Sequence, residues 1–161
     1  MLMKTTVTPS PSLAGTSGIT LDSLRVSYHG NVVLKPLSLT IEPGEVLALI
    51  GPSGSGKTTL LRIIAGFERP DSGQILMRGE SLFDGVKVVP AHLRKIGFVP
   101  QEGALFPHLR VEENIAWGIE GSREAKRKRV DELMEMVSLD RELGRHWPHE
   151  ISGGQQQRVA L

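Results

Sequence analysis

The sequence predicts an α/β fold in which strands dominate the first part of the chain and helices the last. Three observations lead to this prediction. Alternating apolar residues mark strands up to residue 41, a short apolar run at Val46–Ile50 precedes a glycine-rich loop, and helical periodicity follows Val111. Strands, loop and helices in this order indicate an α/β core followed by a helical part.

The composition is that of an ordinary folded domain. The 161 residues are 39% hydrophobic and 23% charged, and their net charge is +1. This balance excludes a whole-molecule field that would attract nucleic acid or an anionic membrane surface. The chain has no cysteine, which excludes disulfides and favours the cytoplasm. No apolar run reaches the roughly 20 residues needed to span a bilayer.

The first strands are predicted in the following order. Residues 1–18 are expected to form a flexible tail, because they are rich in Ser, Thr, Pro and Gly. Apolar residues within 19–26 predict a strand with a local irregularity, which ends at a turn at 29–31. Alternation at 37–41 predicts a second strand, antiparallel and half-exposed, that ends at the turn 42–44.

The later elements follow from apolar runs and periodicity. Val46–Ile50 is predicted to be a parallel strand buried on both faces, because all five residues are apolar. A helix is expected after the glycine loop, ending at Gly66. Strands are predicted at Gln74–Arg78 and Ile96–Pro100, and an amphipathic helix from near Ser122. The apolar positions of that helix are Val130, Leu133, Met134 and Val137.

A complete phosphate-binding motif lies between the apolar strand and its helix. Residues 51–58, Gly-Pro-Ser-Gly-Ser-Gly-Lys-Thr, match the pattern G-x-x-x-x-G-K-[ST] in full. The glycines allow the backbone to fold around a β-phosphate, Lys57 is expected to contact the β- and γ-phosphates, and Thr58 to offer its hydroxyl to Mg²⁺. The alternative is a purely structural glycine loop. This alternative is disfavoured, because all eight positions of the motif, the strand before it and the helix after it fit a phosphate-binding loop.

A second phosphate-binding pattern lies near the end of the sequence, at Ile151-Ser152-Gly153-Gly154-Gln155. Ser152 is predicted to be an N-cap, and the two glycines allow close approach to the backbone N–H groups. The dipole of the helix that follows would then point at a phosphate. A capped helix without a ligand is the alternative, which the first motif makes less favourable.

With these motifs, the chain resembles the ATP-binding cassette family. Residues 51–58 are similar to its phosphate loop, Gln101 to its glutamine loop and Ile151–Gln155 to its signature sequence. The resemblance implies a P-loop NTPase with an N-terminal antiparallel β subdomain and a helical signature subdomain. The expected parts are a tail at 1–18, a nucleotide-binding core at 19–101 and a helical subdomain at 102–161.

The resemblance also implies the site residues. Tyr28 would stack on adenine, with a core tyrosine as the alternative. Gln101 would bind Mg²⁺ and the attacking water and sense a membrane partner, with an ordinary exposed glutamine as the alternative. The implied ATP contacts are Tyr28, Gly51, Pro52, Ser53, Gly54, Ser55, Gly56, Lys57, Thr58 and Thr59, joined in trans by Ser152, Gly153, Gly154 and Gln155. The implied Mg²⁺ ligands are Thr58 and Gln101.

The family role implied is the energising subunit of a bacterial importer, peripheral on the cytoplasmic side of the inner membrane. It would act with a second ATP-binding subunit as a homodimer, with transmembrane permease subunits and, indirectly, with a solute-binding protein. Residues 98–109 and 148–150 resemble importers of the ferric iron, polyamine, sulfate and sugar group, and Glu102-Gly103 resembles the ferric iron branch most. A non-catalytic nucleotide-binding module and a soluble cassette protein without a transport role are the alternatives.

The sequence contains no apolar strand followed by Asp-Glu and no later histidine, the elements that the family uses for Mg²⁺, for polarising water and for a γ-phosphate contact. The stretch most similar to this pattern is residues 136–141, but Ser138 interrupts its apolar run and the glutamate is missing. In the family both elements follow the signature helix. The chain is therefore expected to be a fragment with an incomplete core sheet that binds ATP but hydrolyses it negligibly. Its uncovered apolar edge at Val46–Ile50 is expected to favour aggregation.

Three other features are interpreted as structural. The basic residues within 123–129 are predicted to be the solvated face of a helix, not a nucleic-acid patch. His146 and His149 flank Pro148 without a third ligand, so no metal site is predicted. Met134 and Met136 are interpreted as a core and a surface residue of their helix.

Overall fold

The computed structural model describes residues 3–7, 18–101 and 103–161, with the backbone alone for 3–7. The described residues up to Gly97 form one compact unit, and those from Phe98 to Leu161 form a second. The strands are β1 (Met3–Val7), β2 (Ile19–Tyr28), β3 (Asn31–Ile41), β4 (Val46–Ile50), β5 (Ser72–Met77) and β6 (Glu80–Phe83). The helices are α1 (Lys57–Ala65), α2 (Val111–Ala116), α3 (Arg123–Met136) and α4 (Gly153–Val159). Short 3₁₀ helices form at Ala91–Leu93, Arg141–Arg145 and Pro148–Glu150.

An antiparallel sheet in the order β3-β2-β5-β6 forms most of the first unit. Leu21 of β2 lies opposite Leu39 of β3 on one side and Ile75 of β5 on the other. The register of β2 shifts after Leu21, where Ser23 has a φ of +49°. The predicted antiparallel strands and the irregularity in the first of them are confirmed.

The core of the first unit lies between this sheet and α1. Leu60 and Ile63 of α1 are fully buried, and Ile64 nearly so. Their partners from the strands and the segments beside them are Leu21, Leu24, Val26, Leu34, Ile75, Leu82 and Phe83. Each large apolar side chain buried in this way contributes about 1.5–3 kcal/mol, so α1 is held firmly in place. The loop that precedes α1 therefore has a fixed support.

The strand β4 differs from its prediction. It pairs antiparallel with β1, with Val46 opposite Val7 and Ile50 opposite Met3. Val46 and Ile50 are more than half exposed, so the strand is not buried on both faces. Within the described residues β1 is its only strand partner and no second layer covers its outer face. A run of five apolar residues indicates a hydrophobic strand, but it does not indicate how many strands or layers pack beside it. The prediction was wrong for this reason.

The predicted tail falls largely outside the described residues, which omit 1–2 and 8–17. Within the predicted tail, the backbone at Met3–Val7 forms β1. This strand was not predicted, because polar and apolar residues do not alternate over a sufficient length at 3–7.

The predicted strand at Ile96–Pro100 is not formed. No strand of the described ranges pairs with this segment, and a strand needs a neighbour to receive its backbone hydrogen bonds. The residue before it, Lys95, has a φ of +54°, so the chain also turns as it enters the segment. The prediction at Gln74–Arg78 is confirmed by β5.

The second unit is helical, as predicted. Ser122 is the N-cap of α3, its Oγ accepting a hydrogen bond from the N–H of Ala125 at 3.2 Å. Val130 and Met134 of α3 are buried, whereas Met136 is 71% exposed. The core of this unit is completed around Val130 and Met134 by Val111, Leu139, Ile151 and Val159. None of the helices in the described parts of the chain is both long and apolar enough to cross a bilayer.

We expect Ser122→Ala to lower the free energy of unfolding by about 1 kcal/mol, because it removes the side-chain acceptor that caps α3. Urea denaturation followed by circular dichroism measures the change. Arg123→Ala is the matched control at the next, exposed position, where a change below about 0.5 kcal/mol is expected. Equal effects of the two substitutions would show that the cap does not stabilise the helix.

Candidate functional site

The glycine-rich loop turns sharply between β4 and α1. Gly54 and Gly56 have φ values of +77° and +87°, a left-handed conformation that favours glycine. A Cβ at Gly56 would also lie 3.1 Å from the carbonyl oxygen of Val33. The N–H of Ser55 donates to the carbonyl of Pro52 at 3.3 Å, which closes the turn. Backbone stereochemistry therefore fixes the shape of the loop.

The ammonium group of Lys57 is held against this loop. Its Nζ donates to the carbonyl oxygens of Gly51 and Pro52, both at 2.8 Å, and to the hydroxyl of Ser55 at 3.3 Å. These three acceptors keep one positive charge within the loop. A phosphate at the loop would meet that charge directly.

The N-terminus of α1 provides further donors. Its N-cap, Gly56, has no side-chain capping bond, and the first turn contains no acidic residue. The first-turn N–H groups and the helix dipole therefore favour an anion here. Thr58 is an exposed residue of this first turn. Backbone donors, an ammonium and a hydroxyl are the set that fits a nucleotide phosphate and its Mg²⁺.

Tyr28 ends β2 with its side chain 43% exposed. Its hydroxyl donates to Oε2 of Glu68, whose Oε1 accepts from Nε of Arg62 at 2.5 Å. The hydrogen bond to Glu68 raises the pKa of Tyr28, because the carboxylate stabilises the protonated phenol. The phenol thus stays neutral at physiological pH, with its hydroxyl anchored and part of its ring at the surface.

In the second unit, the signature pattern forms a capped helix start. The Oγ of Ser152 accepts from the N–H of Gln155 at 3.3 Å, and the N–H of Ser152 donates to Oε1 of Gln155 at 2.8 Å. This capping box confirms Ser152 as the N-cap of α4. Ile151 is buried, so the turn is attached to the core. A Cβ on Gly153 or Gly154 would meet none of the described atoms within 4 Å.

Gln101 lies in an exposed turn, not at a strand end. Its carbonyl oxygen accepts a hydrogen bond from Nε2 of Gln157 in α4 at 3.2 Å. The neighbouring Gln156 donates from Nε2 to the carbonyls of Pro148 at 2.8 Å and Ile151 at 3.3 Å. Side chains of α4 therefore tie both the turn at Gln101 and the segment before Ser152 to one helix.

The residues interpreted as structural have local partners. The ring Nδ1 of His146 lies 3.2 Å from the carbonyl oxygen of Glu142, and its main-chain carbonyl accepts from the N–H of Val111 at 2.9 Å. Arg129 pairs with Glu132 on the exposed face of α3. Over residues 18–101 and 103–161, no group of three His, Asp or Glu is placed to hold a metal ion.

Comparison with known proteins decides the family. The sequence model of the family described as ABC transporter matches residues 34–161. The chain belongs to the ABC transporter family. Solved ABC cassettes have the same fold: a dimeric cassette in a post-hydrolysis state bound to ADP and Pi has a TM-score of 0.75 and 32% identity, covering 88% of this chain and 66% of that one. The predicted α/β P-loop NTPase fold class is thereby confirmed.

Two curated relatives of this ABC transporter chain are import ATP-binding proteins. It is 58% identical over 145 residues to the Fe(3+) ions import ATP-binding protein FbpC of Yersinia pestis, covering 90% of this chain and 42% of the relative. It is 56% identical over 164 residues to the putative 2-aminoethylphosphonate import ATP-binding protein PhnT of Salmonella typhimurium, covering 100% and 43%. The chain thus spans less than half the length of these relatives.

Two residues of the ABC transporter chain were missed by sequence reasoning, Gln157 and Arg94. Arg94 is 3% exposed, and its Nη1 donates to the carbonyls of Ile63 and Ile64 at 2.7 and 3.0 Å. Its Nε donates to the carbonyl of Val89 at 2.7 Å. Next to it, Gly66 ends α1 with a φ of +88°, and a Cβ there would lie 2.6 Å from Nε of Arg94. The sequence shows only an arginine beside a lysine, which is typical of a solvated pair.

Proposed function

We propose that this chain is the nucleotide-binding part of the ATP-binding subunit of a bacterial ABC importer. Such a subunit couples the binding and hydrolysis of ATP to the uptake of a solute. The observation that carries the proposal is the glycine loop at the uncapped N-terminus of α1, with the Lys57 ammonium held in it. Family membership and the import names of the curated relatives support it.

The phosphate loop has the main binding role. Backbone N–H groups of residues 51–58 would surround the β-phosphate, and Lys57 would contact the β- and γ-phosphates. Thr58 and Gln101 are the residues that would hold Mg²⁺. Thr59 extends the first turn, and Tyr28 stacks on adenine. When bound, Mg²⁺ neutralises charge on the phosphates; the residues of the chain bind and orient the nucleotide.

The signature residues act on a second subunit. Ser152, Gly153, Gly154 and Gln155 contact the γ-phosphate of ATP held by the partner copy, so two copies enclose two nucleotides. The exposed glycines and the capped helix start support this role, because the backbone there is open to approach. The dimeric state of the similar solved cassette also supports it. Permease subunits would place the dimer on the cytoplasmic face of the membrane.

For the 161 residues themselves, we expect binding of Mg-ATP without appreciable hydrolysis. The sequence has no Asp-Glu after an apolar strand to polarise water, and no later histidine. Calorimetry with the wild-type chain is expected to show saturable ATP binding, while phosphate release stays at the level of the buffer. Phosphate release that Lys57→Ala abolishes would contradict the second expectation, and absence of ATP binding would contradict the function itself.

Ferric iron is the proposed solute. The sequence after Gln101 and the identity to FbpC favour it, whereas the nearly equal identity to PhnT makes 2-aminoethylphosphonate the second candidate. Deletion of the gene, followed by uptake assays with radiolabelled ferric iron and with the phosphonate, separates the two. Loss of iron uptake alone is expected. Loss of phosphonate uptake alone would transfer the assignment to the second candidate.

A further inference from the structure

The anchoring of Tyr28 differs from that of an ordinary surface tyrosine. Part of its ring is at the surface, yet its hydroxyl is bonded to a side chain that lies 40 positions further along the chain. That side chain, Glu68, is itself only 24% exposed. A long-range bond to a half-buried carboxylate restricts the ring far more than a contact with water does.

Glu68 is itself held in place by α1. Nε of Arg62 donates to Oε1 of Glu68 at 2.5 Å, while Oε2 accepts from Tyr28. The main chain nearby is also fixed, since the N–H of Phe67 donates to the carbonyl of Arg62 at 2.9 Å. Both carboxylate oxygens therefore have a partner, and the carboxylate has one orientation.

The same helix carries the phosphate-binding residues. Lys57 and Thr58 form its first turn, Arg62 lies within it and Glu68 follows its end. The ring is thus attached to α1 through Glu68 and Arg62, so the helix that begins at the phosphate loop also sets the position of the ring.

We propose that Glu68 is a positioning residue for the base of the bound nucleotide, acting through the hydroxyl of Tyr28. Arg62 orients the carboxylate, the carboxylate orients the ring, and the ring presents its face to the base. This inference rests on the proposed function, because it requires a nucleotide whose phosphates lie at residues 51–58. It adds a residue that contacts neither the base nor the phosphates.

The test compares ATP with inorganic tripolyphosphate, which has the phosphates but no base. Binding of each to the full 161-residue chain is measured by calorimetry for Glu68→Ala, Glu68→Gln and Tyr28→Phe. Glu80→Ala is the matched control, a glutamate on the exposed part of β6 in the same unit. Circular dichroism of each variant verifies that the chain stays folded.

Glu68→Ala is expected to weaken ATP binding about 3- to 10-fold, the effect of freeing one side chain, and to leave tripolyphosphate binding within about twofold. Glu68→Gln, which keeps an acceptor oxygen, should restore most of the ATP affinity. Tyr28→Phe should match Glu68→Ala, and the double variant should be no weaker than either, because both changes break one bond.

Two results would overturn the inference. One is unchanged ATP binding by Glu68→Ala; the other is an equal loss of ATP and tripolyphosphate binding, which would show that Glu68 supports the fold and not the ring. Failure of the wild-type chain to bind either ligand is a different result. It would overturn the proposed function and this inference together.

Discussion

Arg94→Ala is expected to lower the free energy of unfolding by about 3–5 kcal/mol, because it leaves three main-chain carbonyl groups, two of them in buried bonds, without their charged donor. The guanidinium ends α1 at Ile63 and Ile64 and holds the carbonyl of Val89. Burial lowers the pKa of Arg94, since desolvation disfavours the charged form, so the three bonds are needed to stabilise that charge. Urea denaturation followed by circular dichroism measures the change.

His92→Ala is the matched control for this prediction. His92 lies two residues earlier, on the short 3₁₀ helix that Arg94 follows, and is exposed, so a change below about 0.5 kcal/mol is expected. Arg94→Lys separates charge from geometry: an ammonium retains the charge but lacks the planar fork, and an intermediate loss is expected. A loss for Arg94→Ala no larger than for His92→Ala would show that the three bonds contribute little.

Lys57→Ala is expected to weaken the binding of Mg-ATP about 10- to 100-fold. A charge-assisted hydrogen bond contributes about 1.5–3 kcal/mol, and 1.4 kcal/mol corresponds to a factor of ten in affinity. Alanine has the highest helix propensity, so α1 should persist in the variant. The dissociation constants of the wild-type and variant chains are compared by calorimetry.

Lys35→Ala is the control for charge alone. Lys35 is an exposed residue of β3 in the same unit, and its loss changes the net charge by the same amount. Its ATP affinity is expected to stay close to that of the wild type. Equal weakening by the two substitutions would mean that ATP senses overall charge and not the ammonium in the loop.

Local sequence patterns were sufficient to predict the features that depend on residues close together in the sequence. The antiparallel strands alternate apolar and polar residues because one face packs on a core, and that alternation is visible without the fold. The end of α1 at Gly66, the start of α3 near Ser122 and the capping of α4 by Ser152 follow from short-range stereochemistry. The phosphate loop belongs to the same class, since its conformation depends on glycines at fixed spacing.

Features that depend on distant partners were predicted wrongly or missed. The apolar run of β4 and the segment Ile96–Pro100 have sequences suited to strands, but strand formation is decided by which neighbours are present. The side chains of Arg94 and Gln157 donate hydrogen bonds to main-chain carbonyl groups. Every residue has such a group, so the sequence does not indicate which carbonyls these side chains will bond. The anchoring of Tyr28 by Glu68 was missed for a related reason, because no local pattern joins residues 40 positions apart.

Gly56 and Gly66, which have positive φ values and lie at the two ends of α1, make the length of this helix as important as its sequence. The nine residues of α1, at about 1.5 Å each, separate the phosphate loop from the turn at Gly66 by roughly 13 Å. One inserted residue would turn everything beyond it by about 100° and carry the buried Ile63 toward solvent. Exposed positions such as Leu61 should therefore accept substitution, whereas no position in this helix should accept an insertion or a deletion. Among natural variants, α1 should differ in composition but not in length.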